Sequence, residues 1–154
     1  MKIQTIIASL AFLIFLSCGP KDSRQETPPE DQKGLVGYVE LSEPLEQDLI
    51  QDGAAIFSQK CGSCHTIDTV EFSVPAFAGV TNRRSPEWIM NMILNVEDML
   101  SADSTARALL KRHRKIMPDP NLSVEEARAM LEFFRYNDEE QVGKRDQAAK
   151  DRNY

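Results

Sequence analysis

Residues 61–65 read Cys-Gly-Ser-Cys-His, the densest grouping of reactive side chains in the 154-residue sequence. On a helical turn, thiols at i and i+3 share one face and the i+4 imidazole lies beside them. That is the C-x-x-C-H pattern of c-type haem attachment: Cys61 and Cys64 reach the two vinyl groups, and His65 projects under the iron. Three other chemistries use the same residue types. A Cys61–Cys64 disulfide closes a four-residue loop, which gains little, and leaves His65 without a role. A thioredoxin-like redox pair sits near a βαβ pattern, whereas the residues upstream have helical periodicity. A zinc site lacks ligands, since only His113 and carboxylates remain after these three residues.

An iron held by His65 has a second axial position. Met117 lies 52 residues further on, in Ile116-Met117-Pro118-Asp119-Pro120. Two prolines stiffen that loop and help hold a thioether sulfur in place. Met90, Met92, Met99 and Met130 fall at or near apolar helical positions, where core packing is the default. His113, the other histidine, belongs to the basic run Lys111-Arg112-His113-Arg114-Lys115, which reads as a solvated helix end. Met117 is the expected sixth ligand, with His113 and Met99 as alternatives. A methionine ligand raises the potential of a haem, which suits delivery of electrons to a high-potential acceptor.

The elements that must position these groups are helical. Leu49, Gly53, Ile56, Phe57 and Lys60 fall on one face of a helix leading into the motif, with Pro44 suited to its first turn. Ser85-Pro86-Glu87 is a start signal before Trp88, Ile89, Met92 and Ile93. Asp103 or Ser104 can cap a helix carrying Ala106, Leu109 and Leu110. Ser123 and Glu126 form a capping-box pattern ahead of Ala127, Met130, Leu131 and Phe134. Nothing between 44 and 136 alternates as a strand. The expectation is an all-α domain of four or five short helices. Its core is thin, and something besides side chains is expected to fill it.

Outside 44–136 the chain changes character. Residues 1–17 carry Lys2 and then the apolar run Ile6–Leu16, too short to span a bilayer comfortably and built like an export signal. Leu16-Ser17-Cys18-Gly19 resembles a bacterial lipoprotein lipobox, which implies lipidation of Cys18; the alternative is an ordinary signal peptide with an incidental cysteine. Residues 19–34 contain no large apolar residue and three prolines, so 18–43 is expected to serve as a lipidated tether. Residues 35–39 form a weak apolar patch within it, and residues 137–154 read as a frayed polar tail. The formal charge of −6 argues against a nucleic-acid partner. A hydrophobic fraction of 42% excludes a disordered chain.

Residues 44–136 resemble a class I monohaem cytochrome c. The features that carry the resemblance are Gly53 and Phe57, the Cys61–His65 motif, the Met117-Pro118 loop, and a final helix with Phe133, Phe134 and Tyr136. The resemblance implies one covalently attached haem c and a crossing of the first and last helices with Gly53 at the contact. It also implies that the Pro75 carbonyl, within Val74-Pro75-Ala76-Phe77-Ala78-Gly79, accepts a hydrogen bond from His65 Nδ1–H. Val74 stands where the family commonly has glycine. Residues 79–88 are similar to lipoprotein cytochromes accompanying respiratory reductases; Arg83 or Trp88 then reaches a haem propionate, or stays a solvated arginine and a buried tryptophan.

The function so implied is a periplasmic electron carrier, not an enzyme, lipid-anchored to a bacterial membrane. Its donor would be a membrane quinol-oxidising complex and its acceptor a terminal reductase or oxidase. The alternatives are a haem enzyme or gas sensor with an open sixth site, and a fixed haem subunit of a respiratory complex.

Overall fold

The computed structural model describes residues 36–150; the expected export signal, Cys18, residues 19–35 and residues 151–154 lie outside the described residues. Among the described residues there are seven α-helices and no strand: α1 (Gln47–Ile56), α2 (Val80–Arg83), α3 (Pro86–Leu94), α4 (Val96–Ala102), α5 (Ser104–His113), α6 (Val124–Val142) and α7 (Gln147–Lys150). The number exceeds the expected four or five because α2 and α7 are single turns that no periodicity could reveal. None of these helices is long and apolar enough to cross a membrane.

The start signals act as anticipated. Ser85 accepts from Trp88 N–H with Pro86 at the first helical position. Asp103 caps α5 through Ala106 N–H, and Ser123 and Glu126 satisfy one another's backbone donors at the head of α6. The register of α1 differs from expectation. Its buried stripe is Ile50, Gly53 and Phe57, while Leu49 is only half-buried and Lys60 is exposed. Pro44 precedes the helix, which begins at Gln47.

α1 and α6 cross in van der Waals contact at Gly53. A Cβ there would sit 2.7 Å from the Ala129 carbonyl carbon and 2.7 Å from Phe133 Cβ, so only glycine permits the approach. Behind the crossing, α3 contributes Ile89, Met90 and Ile93 to a core shared with Ala127, Met130, Leu131 and Phe134.

Both ends of the folded unit lie further out than the sequence suggested. α6 runs through Asn137 and Asp138, both buried, to Val142, where Gly143 adopts φ 68°. The chain then returns so that α7 packs on α2 and Asp146 is buried. The expected frayed tail is therefore folded at least to Lys150. At the other end, Val36 is gripped by Asn91, whose Oδ1 accepts from Val36 N–H (2.6 Å) and whose Nδ2 donates to Val36 O (3.0 Å). Val39 is buried, and its N–H donates to Glu87 Oε1 at 3.0 Å. Residues 36–43 thus belong to the domain rather than to the tether.

A buried ion cluster ties these ends together. Arg135, with no exposed side-chain surface, reaches Glu132 (2.9 Å), Asp146 (2.9 Å), Glu43 (3.1 Å) and the Ser42 carbonyl (3.1 Å). Burial alone would raise the Glu132 carboxyl, but donors from Arg128, Glu46 N–H and Arg135 outweigh it and hold the group below its ordinary range. Removing one member of such a cluster typically costs ~3–5 kcal/mol, because it strands a buried charge.

Gly53→Ala tests the crossing. Helix propensity favours alanine by ~1 kcal/mol, but overpacking costs ~1–3 kcal/mol or more. Because the obstacle is backbone, which no rotamer change relieves, the clash should win. A net loss of roughly 1–2 kcal/mol of unfolding free energy is expected, read as a lowered urea midpoint at unchanged slope, and an unchanged midpoint would show that the helices do not meet there.

Candidate functional site

The Cys-Gly-Ser-Cys-His segment leaves α1 through one wide turn. Residues Phe57–Cys61 form a π-helical turn in which Gly62 N–H donates to Phe57 O at 2.8 Å, and His65 N–H returns to Cys61 O at 2.9 Å. Such turns rotate the following side chains relative to a regular helix. Both cysteines are free thiols, Cys61 buried and Cys64 exposed. Burial, and then the neighbouring Cys64, push the Cys61 thiol up.

His65 is held on two sides. Its Nδ1 lies 2.8 Å from the Pro75 carbonyl, and its ring stacks on Phe77 at 4.6 Å and 27°. The carbonyl fixes the tautomer with hydrogen on Nδ1, which leaves Nε2 as the free donor atom. Burial lowers the imidazole's basicity, the Pro75 bond opposes this, and His113 adds to the lowering. A neutral imidazole is the form that ligates metal.

Cys64 and His65 open onto a cavity of ≈ 210 Å³ whose lining is overwhelmingly apolar. Pro75 and Phe77 line it on the motif's side, Trp88 and Met92 come from α3, and Met117 and Pro118 come from the loop after α5. Cys64, His65, Pro75 and Met117 are thus brought to one cavity, with Cys61 buried at the end of the turn that leads into it. Met99 is buried in the core and does not line the cavity. His113 does line it.

His113 departs from the expected solvated helix end. Its side chain is only 9% exposed, and Nε2 lies 3.5 Å from Glu71. Arg112 also reaches Glu71 (3.4 Å), and Lys115 donates to Ser73 Oγ (3.0 Å). Three contacts therefore join the loop after the motif to the end of α5. Arg83 and Trp88 both line the cavity, yet their polar atoms are engaged by protein. Arg83 donates to the Ala78 and Ala76 carbonyls (2.6 and 3.3 Å), and Trp88 Nε1 donates to Asp103 (3.1 Å). Phe77 escaped the sequence reading because an aromatic in a loop carries no periodic signal. Among the described residues no three of His, Cys, Asp and Glu cluster as a metal site, so nothing supports the zinc alternative.

Two free thiols, a tautomer-fixed imidazole, a methionine on the same cavity and an apolar lining fit a covalently attached haem. The comparisons agree. Residues 50–138 match the family model described as Cytochrome c. A solved cytochrome c from Rhodothermus marinus is similar at 38% identity, covering 71% of this chain and 93% of that one, with a TM-score of 0.67. An engineered cytochrome c from the same organism is similar at 36% identity over 70% and 92%, TM-score 0.65. A further structure of that engineered protein, bound to a carbene intermediate, gives 36% over 70% and 92%, TM-score 0.63. No curated protein matches the chain.

The placement of the three methionine and histidine alternatives generates a test. In the haem-loaded protein, Met117→Ala should open the ferrous iron to carbon monoxide and lower the reduction potential. Met99→Ala should do neither, since that side chain does not line the cavity. Carbon monoxide binding by Met99→Ala but not Met117→Ala would reverse the assignment.

Proposed function

Since the chain belongs to the cytochrome c family and is a haem c electron-transfer protein, we propose that it is a membrane-anchored single-electron carrier whose iron is ligated by His65 and Met117. One observation carries the reading: the motif histidine and a methionine from a distant loop line the same apolar cavity. When bound, haem c supplies reversible one-electron exchange between ferrous and ferric iron. Cys61 and Cys64 would hold it by thioethers, which forbids its loss during turnover. The Pro75 carbonyl fixes His65 in one tautomer, and Met117 would take the position that a small molecule needs. With both positions so taken the haem would have no open site for a substrate, which is why we propose a carrier rather than an enzyme. The apolar lining excludes water, which limits the rearrangement that accompanies a change of charge.

The reading extends to partners and place. Ile116 is 68% exposed beside Met117, and Phe72 is 78% exposed on the loop joined to it by the Lys115–Ser73 contact. Lys111, Arg112, Arg114 and Lys115 are exposed just ahead of Ile116 in the chain, whose net charge is −6, and Arg112 and Lys115 contact Glu71 and Ser73 on either side of Phe72. Such a surface suits brief docking to acidic redox partners, with a quinol-oxidising complex as donor and a terminal reductase or oxidase as acceptor. Lipid on Cys18 would anchor the protein at the periplasmic face of a bacterial membrane. Because residues 36–43 are docked on the domain, 17 residues (19–35) separate Cys18 from it. Seventeen residues reach at most about 60 Å, so a domain anchored through Cys18 would work close to the membrane surface.

Two experiments test these assignments. Cys18→Ala should move haem-bearing protein from the membrane to the soluble fraction, and retention in the membrane would exclude lipidation there. Reversing Lys111 and Arg114 to glutamate should slow electron transfer to isolated partner membranes several-fold at low salt and little at high salt. Equal rates at every ionic strength would exclude this docking face.

A further inference from the structure

The segment that carries Pro75 is held at several backbone groups. Arg83 donates to the carbonyls of Ala76 and Ala78, and Thr66 and Asp68 carbonyls accept from Phe77 and Ala78 N–H. Phe77 O accepts from Val80 N–H and Gly79 O from Asn82 N–H, at 2.9 and 3.2 Å. Two further donors, Gly79 N–H and Thr81 N–H, go to the two oxygens of Asp138, at 2.5 and 2.8 Å; Thr81 Oγ1 adds a third bond at 2.6 Å. At the head of the segment the Pro75 carbonyl meets His65 Nδ1.

Asp138 is fully buried on α6, and an isolated carboxylate there would be costly unless a specific set of donors required it. Its neighbour Asn137 grips the other arm of the same loop, donating to Ile67 O at 2.7 Å. Gly79 has φ 78°, a conformation that residues with a side chain rarely adopt, and its N–H meets Asp138. The helix that packs on α1 therefore also fixes, through Asp138, the segment that orients the imidazole.

We propose that Asp138 is a positioning residue for the axial histidine: by pinning Gly79 and Thr81 it holds the Pro75 carbonyl against His65 Nδ1–H. This rests on the haem-ligand reading of His65. A firm bond from Nδ1–H gives the imidazole anionic character and stabilises ferric iron, so loosening it raises the reduction potential.

The test uses the full-length haem-loaded protein in its ferrous state, with proton NMR following solvent exchange of His65 Nδ1–H. Asp138→Asn removes the charge and one acceptor, while Thr81→Val changes no formal charge and removes one donor to Asp138 together with the acceptor of Asp146 N–H. Glu132→Gln serves as a destabilised control that leaves residues 75–81 untouched. Exchange at least tenfold faster than wild type, with a raised potential, is expected in both Asp138→Asn and Thr81→Val but not in Glu132→Gln. Wild-type exchange in both variants overturns the proposal. An equal acceleration in Glu132→Gln overturns it too, since exchange would then follow global stability. A potential shift confined to Asp138→Asn, without faster exchange, reduces Asp138 to a distant charge. The wild-type spectrum reports separately whether His65 is the ligand. If it is not, the ligand reading falls and this proposal with it; if it is and the variants are silent, only this proposal falls.

Discussion

At Gly53 two helices approach until the backbone of one occupies the space where the other would carry a side chain. The geometry of the site follows from that contact. It sets the depth at which Phe57 enters the core, and Phe57 begins the wide turn that ends at Cys61. From there a chain of rings continues the constraint: Phe133 on Phe57 (5.7 Å), Phe57 on Phe77 (6.0 Å), and Phe77 stacked on His65 (4.6 Å). Aromatic pairs at such separations prefer defined orientations. The position of the His65 imidazole is thus inherited from a helix crossing made by residues that never touch it.

The protein's small core and its cofactor explain one another. About a hundred residues of short helices bury too little apolar surface to leave an empty cavity in their middle. Here the cavity is lined by Trp88, Met92, Val96, Leu109 and Leu110, side chains that would ordinarily meet each other. A covalently held, largely apolar ring supplies the missing partner surface. Holding it by thioethers also keeps the redox group with so small a domain. The ion cluster around Arg135 serves a different purpose, joining residues 42–43 and 146 to α6 so that both ends of the domain close against it.

What could be read from the sequence was what is local. The spacing of Cys61, Cys64 and His65 is a covalent requirement and needs no tertiary information. The caps at Ser85, Asp103 and Ser123 are likewise short-range chemistry, and all three form. Met117 stood out because the prolines beside it remove it from any helical face. The misreadings share a cause. Asn137, Asp138 and Asp146 look like surface residues until their partners, Ile67, Gly79, Thr81 and Arg135, are known from elsewhere in the chain. Residues 36–43 lack periodicity, and what holds them, the core contacts of Val39 and the hydrogen bonds of Asn91 and Glu87, comes from distant parts of the chain. His113 sits among four cations, and only the fold turns it inward to Glu71.

The central claim is that one iron, ligated on both sides by this chain, exchanges single electrons and binds nothing else. A redox titration of the purified wild-type protein, followed by optical spectroscopy with and without carbon monoxide, tests it most directly. The account predicts a reversible one-electron transition of a haem that stays with the polypeptide in acidic organic solvent, and a ferrous spectrum unaltered by carbon monoxide. A ferrous spectrum that shifts on adding carbon monoxide, or a haem that extracts freely, would contradict it.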